Sequence, residues 1–194
     1  MVYDFAFDYL SRHPHAHLKE IGKDTKSVAV EVFKRFIDIG LVRGGKSGNW
    51  NVNGWNMMLR PVLVLDSDEA YPDGKGKEYY LNLLVNESTP YHDAIPDMLK
   101  TYDPVTGLWP ESPGYSFGTI QMLLDWAAPL KRAGIDIIAG NPILQKAAMA
   151  VFPWMDEAAK MVDIGDTRGG SANFQTYENL LAYYAGITDK AGME

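Results

Sequence analysis

Gly140-Asn-Pro-Ile-Leu-Gln-Lys-Ala-Ala-Met-Ala-Val-Phe-Pro-Trp-Met155 decides the fold class. Its apolar positions Ile143, Ala147, Val151 and Met155 fall four apart, which lines them along one stripe of a helix. The start is punctuated as a helix start should be. Asn141 stands at the cap and Pro142 at the first position, where a missing backbone N–H costs nothing. Working outward, the same period recurs. Phe174, Tyr177, Leu181 and Tyr184 follow it on the C-terminal side. Phe117, Ile120, Leu124 and Ala127 form a stripe before it, with Gly134 placed where a helix would close. Trp55, Met58, Val62 and Leu65 form another, and Val28, Val32 and Phe36 a further one. Val62-Leu-Val-Leu65 has the composition of a strand, yet it continues a helical stripe and no hairpin turn offers it a partner. The spacing predicts an all-α chain of seven or eight helices joined by short or medium loops. Such antiparallel helix pairs build either a bundle or a curved (α/α) toroid, and periodicity alone does not choose between them.

Composition narrows the function classes. At 194 residues the chain is of a size to form a single helical domain spanning residues 1–194. A 46% hydrophobic content with 12% aromatics excludes a disordered polymer. No apolar run approaches the roughly 20 residues needed to span a bilayer, so no membrane partner is expected. A net charge of −7 argues against a phosphate-backbone binder, which carries a basic face, so no nucleic acid is expected either. The absence of cysteine removes disulfides, thiolate catalysis and Cys-type zinc sites together. His13-Pro-His-Ala-His17 invites a metal reading, but Pro14 breaks helical geometry and no Asp/Cys set completes the ligands. Arg43-Gly-Gly-Lys-Ser-Gly48 lacks the spacer of a phosphate loop. Neither a metal nor a cofactor is expected.

The chemistry concentrates in Asp103-Pro-Val-Thr-Gly-Leu-Trp-Pro-Glu-Ser-Pro-Gly-Tyr115. Its prolines and glycines forbid regular structure, so a loop rich in aromatic and acidic groups is held in one shape. Trp109 and Tyr115 offer flat faces that suit pyranose rings, and Glu111 and the Tyr115 hydroxyl can hydrogen-bond or carry protons. Upstream, Asn49-Trp50-Asn51-Val52-Asn53-Gly54-Trp55-Asn56 places neutral amide donors beside aromatic rings. Downstream, Val162-Asp-Ile-Gly-Asp-Thr167 forms a turn after a helix.

These three pieces, in this order, resemble the heparinase II/III-like polysaccharide lyases across about residues 45 to 190. The first is similar to the Asn/His-bearing helix of that family, the second to its Asp-Gly-x-x-x-Glu-x-x-x-Tyr segment, and the third to its Phe-Gly-Asp-Ser-like turn. The resemblance implies the toroid and β-elimination on an anionic, uronic-acid-containing polysaccharide or oligosaccharide. It implies Tyr115 as the catalytic tyrosine. Asn53 and Asn56 would neutralise the substrate carboxylate, with Asn51 as a further candidate. Trp50, Trp109, Glu111 and Arg168 are the expected substrate-binding residues. It also implies further helices and a C-terminal β-sandwich supplying a catalytic histidine, so the chain is expected to be a fragment of a larger lyase. Exported relatives imply a periplasmic or secreted location, although Met1-Val-Tyr-Asp-Phe-Ala6 is no signal peptide. The sequence departs from the pattern in one respect. Relatives carry a histidine beside the asparagine, and none occurs here between His17 and His92.

Each residue also has a plain structural reading. Tyr115 can pack at a helix start, the asparagines can cap turns, and Glu111 can complement a helix dipole. Trp55, on an apolar stripe, reads as core, and Asp166 after Gly165 reads as a turn former. His92 stands as a surface-loop residue or a second proton carrier. Two other functions stay open: a non-catalytic carbohydrate-binding helical domain, and an inverting glycoside hydrolase pairing Glu111 with Asp103 or Asp166.

Overall fold

The computed structural model describes residues 9, 12–13, 16–166 and 174–185. Among these the chain is all-α: no strand is present, and only two isolated bridges, Thr89 with His92 and Met155 with Met161, have β character. The α-helices are α1 (Ala16–Glu20), α2 (Thr25–Arg43), α3 (Gly48–Val62), α4 (Lys77–Asn86), α5 (Ile95–Met98), α6 (Pro113–Asp125), α7 (Ala127–Arg132), α8 (Pro142–Ala150) and α9 (Gln175–Tyr184). Short 3-10 turns follow at 68–70, 99–101 and 152–154. No described helix is long and apolar enough to cross a membrane.

The contacts gather into two compact units. The first comprises residues 1–46 and 54–94, the second residues 47–53 and 95–194. In the first, α2 begins on a side-chain cap: the Asp24 carboxylate accepts the Ser27 backbone N–H at 2.9 Å. The stripe Trp55, Met58, Val62 and Leu65 is buried throughout, and Tyr80, Leu81, Leu84 and Val85 of α4 are buried with it. The start of α4 is fixed from a distance, because one Asp68 carboxylate oxygen accepts the backbone N–H groups of Gly76 at 2.8 Å and Tyr79 at 3.0 Å.

The second unit is organised around α6, which packs on α7, α8 and α9. Phe117, Ile120, Leu124 and Ala127 are buried as the period requires; of the stripe from Ile143, Ala147 and Val151 are buried, Ile143 and Met155 only partly, and Val151 and Met155 lie beyond the end of α8 at Ala150. Phe117, Val151 and Met161 form a cluster against which Trp154, Met155 and Tyr177 pack. Burial pushes the Tyr177 hydroxyl up to about 12, so it stays protonated and donates to the Ala148 carbonyl at 3.1 Å.

Four expectations are corrected. On α2, Val32 and Phe36 are exposed and the buried residues are Ile37 and Leu41. That helix is apolar around most of its circumference, so several stripes fit its sequence and only packing selects one. On α9, Phe174, Leu181 and Tyr184 are exposed, while Leu180 and Ala182 are buried and Tyr177 is partly so. Residues 49–56 lie inside α3, which ends at Val62, so Leu65, expected on the same helical stripe, falls beyond the helix. Asn141 precedes α8 as expected but does not cap it through its side chain, whose amide donates to the Ile137 carbonyl at 2.8 Å. Pro142 at the first position and Gly134 at φ +85°, after α7, match the reading.

Candidate functional site

Residues 103–112 form a loop closed by its own side chains. One Asp103 carboxylate oxygen accepts the Val105 N–H at 3.0 Å, the Thr106 N–H at 2.6 Å and the Thr106 hydroxyl at 2.8 Å. The Thr106 backbone bond, more than any other contact, holds this carboxyl below its usual range. Asp103 is therefore a turn former through one carboxylate oxygen, and it does not line the cavity that Glu111 and Asp166 share. Lys146 of α8 latches the loop from outside, donating to the Pro104 carbonyl at 2.7 Å and the Val105 carbonyl at 3.2 Å. Gly107, at φ +78°, lies so close to Lys146 that an added Cβ would sit 2.9 Å from its backbone carbonyl carbon.

The loop then delivers its chemical groups to one cavity of about 510 Å³. Leu108, Trp109, Glu111 and Ser112 come from the loop, and Pro113 and Ser116 from the first turn of α6. The opposite wall is Trp154 with Ile164, Gly165 and Asp166. Glu111 of the second motif segment and Asp166 of the third, far apart in the chain, thus meet on one cavity. Glu111 also reaches the start of the first segment: its carboxylate oxygen would lie 3.7 Å from a Cβ at Gly48, the first residue of α3. A carboxylate there complements the positive end of that helix. No residue of segment 49–56 itself lines the cavity.

Individual side chains are placed as follows. Trp109 is 2% exposed, stacked edge-on against Tyr102 at 4.8 Å and 67°. Its indole N–H is buried without a hydrogen-bond partner. Tyr102 donates to the Thr119 hydroxyl at 3.1 Å, and burial pushes its own hydroxyl far up. Trp50 is the opposite case: at 76% exposure its ring is open to solvent, as a stacking platform needs. Trp55 is core, fully buried with its indole donating to the Leu84 carbonyl at 3.1 Å.

Tyr115 is the third residue of α6, half-buried, and is not among the residues lining the cavity, although its neighbour Ser116 is. Asn51 is buried and Asn53 exposed, its amide donating back to the Asn49 carbonyl at 3.1 Å. Asn56 is partly buried and belongs to the first unit. Arg168 lies outside the described residues. Among the described residues no group of three His, Asp or Glu side chains is placed to hold a metal ion.

Three features escaped the sequence reading. Trp154 and Ser116 as cavity walls, and Lys146 as the latch, depend on contacts between distant segments and leave no local signal. His92, expected on the surface, is 1% exposed, and its Nε2 has no partner. Burial pulls its pKa below the ordinary value, opposed by the Leu84 carbonyl and the Asp93 charge. Comparison with models of known protein families, with curated proteins and with solved structures finds no match.

Proposed function

We propose that the second unit carries the site of a polysaccharide lyase that cleaves a uronic-acid-containing polymer by β-elimination, on antiparallel helix pairs forming part of an incomplete (α/α) toroid. The observation that carries this reading is the convergence of Leu108, Trp109, Glu111, Ser112 and Pro113 with Ile164, Gly165 and Asp166 on one cavity, with Glu111 against the head of the asparagine-bearing helix. The resemblance of those three segments to the heparinase II/III-like lyases supplies the chemistry. The cavity's size and its mixture of indole rings, hydroxyls and carboxylates suit a sugar ring.

In this mechanism the amide of Asn53, with Asn51 as the buried alternative, hydrogen-bonds the uronate carboxylate and stabilises charge as it spreads into an enediolate. The Tyr115 oxygen takes the C5 proton, the C–H pair becomes the C4–C5 double bond, and the C4–O bond breaks. The leaving oxygen receives a proton from Tyr115 or from a histidine in a C-terminal β-sandwich of the same enzyme. Trp50 stacks against a sugar ring, while Glu111, Trp109 and Arg168 bind hydroxyls or the carboxylate. A periplasmic or secreted location goes with this substrate.

A second reading draws on one specific feature. Glu111 and Asp166 line the same cavity, and two carboxylates facing one sugar are the equipment of an inverting glycoside hydrolase. Product chemistry separates the readings. Alginate, heparan sulfate and chondroitin are each incubated with the protein, and ultraviolet absorbance and reducing ends are followed together. A lyase produces both signals, a hydrolase reducing ends alone, and a pure binding module neither while still retaining the polymer. Reducing ends without absorbance would overturn the lyase proposal.

A further inference from the structure

A second surface, wholly within the first unit, has the form of a docking site. Along α2 four large apolar residues face solvent: Val32 at 57%, Phe36 at 41%, Ile39 at 48% and Val42 at 55% exposure. At 1.5 Å per residue their span of ten residues covers about 15 Å, longer than one small ligand requires. Beside them runs a groove of about 620 Å³, with Ile39 and Val42 on one side and Leu83, Tyr79 and Tyr91 on the other. Tyr91 adds a half-exposed ring to this apolar floor. Contiguous apolar surface of this kind, edged by polar groups, marks an interaction site.

The rim selects the partner. Several lysines of this unit meet carboxylates: Lys23 with Glu31 and Lys26 with Asp66 at 2.9 Å, and Lys34 with Asp73 at 2.8 Å. Arg35 and Lys75, which line the groove, form no ion pair among the described residues, and Lys75 rests 5.3 Å over the Tyr79 ring. Arg43 stands next to Val42 at the end of the same helix, again without an ion pair among the described residues. The one carboxylate in the groove, Asp38, is taken up by the Tyr80 hydroxyl at 2.9 Å. In a chain of net charge −7, an apolar stripe bordered by unpaired cations is complementary to an apolar stripe bordered by acids.

We propose that this face docks an amphipathic helix with an acidic rim, provided by another protein segment, laid into the groove beside α2. Apolar anchors of the partner at i, i+3, i+4 and i+7 contact Phe36, Ile39 and Val42, and its glutamates or aspartates pair with Arg35 and Lys75. The length of the exposed stripe, about 15 Å along α2, favours such a helix over a single sugar ring.

The test uses the full chain and a labelled synthetic helical peptide with leucine at those four positions and glutamate on both flanks, followed by fluorescence anisotropy. Saturable binding is expected. It should weaken at least about tenfold in the Arg35→Glu/Lys75→Glu double variant and be lost in Ile39→Lys, with helical circular dichroism unchanged in each. A peptide with lysine in place of glutamate should bind much less. Equal binding of the lysine peptide, no effect of the charge reversals, or no binding at all would overturn the proposal. So would self-association of the wild-type chain abolished by Ile39→Lys, which would assign the face to a second copy. Displacement of the peptide by an anionic oligosaccharide would reassign it to a glycan.

Discussion

Gly107→Ala tests whether the motif loop is held against α8 as tightly as the geometry requires. Two separate penalties arise. At φ +78° a residue bearing a Cβ is in left-handed backbone, which costs about 1–2 kcal/mol. The new methyl would also lie 2.7 Å from Lys146 Cγ and 2.9 Å from its backbone carbonyl carbon and oxygen, and backbone cannot rotate away as a side chain can. Overpacking of that sort costs about 1–3 kcal/mol. The sum, roughly 2–5 kcal/mol, is a large part of a domain's usual 5–15 kcal/mol. At a typical urea dependence it lowers the unfolding midpoint by about 1–2 M. Two other glycines separate the penalties. Gly134, at φ +85°, has nothing within 4 Å of an added Cβ, so its alanine variant carries the backbone cost alone. Gly118, inside α6, has open space as well and ordinary helical backbone, so Gly118→Ala should stabilise by about 0.5–1 kcal/mol. Urea unfolding of the three variants, read by circular dichroism, should rank them Gly118→Ala above wild type, then Gly134→Ala, then Gly107→Ala. If Gly107→Ala costs no more than Gly134→Ala, the close approach of loop to helix is not felt and the reasoning fails.

Trp55→Phe removes the donor to the Leu84 carbonyl in a fully buried site, so urea unfolding should show a loss of at least about 1–3 kcal/mol, with a cavity term added; a loss below about 0.5 kcal/mol would show that the bond contributes nothing net. His92 has a folded-state pKa below its unfolded value near 6.5, so the folded protein binds fewer protons and stability present above that pH is lost as pH falls through the folded pKa. Unfolding midpoints measured at about pH 5 and about pH 7.5 should differ less in His92→Gln than in wild type, and an unchanged difference would exclude His92 as the cause. On the proposed mechanism Tyr115→Phe keeps the ring and removes the oxygen, so polysaccharide binding should survive while the release of unsaturated product falls by about 10²–10⁴-fold; undiminished turnover would take the proton-transfer role away from Tyr115.

The helical class was legible in the sequence, because Trp55, Met58 and Val62 recur at helical spacing, lie on α3 and are all buried. The sequence determined the punctuation at Pro142 and Gly134 for a local reason, since fixed φ and left-handed φ are properties of single residues. It also marked residues 103–115 as a shaped loop, and Asp103 with Thr106 shows how much of that shape is made within four residues. What only the tertiary structure decided is whatever depends on a neighbour distant in the chain. The α2 sequence is apolar on nearly every side, so its choice of Ile37 and Leu41 for the interior, leaving Val32 and Phe36 outside, rests on packing. Trp109 and Trp50 are the same residue type in similar motif contexts, yet one is enclosed against Tyr102 and the other stands open, because burial is a property of the surroundings. The meeting of Trp109, Glu111, Trp154 and Asp166 around one cavity belongs to this second kind: each residue is legible as a candidate from its chemistry, and their assembly exists only once the helices between them have packed.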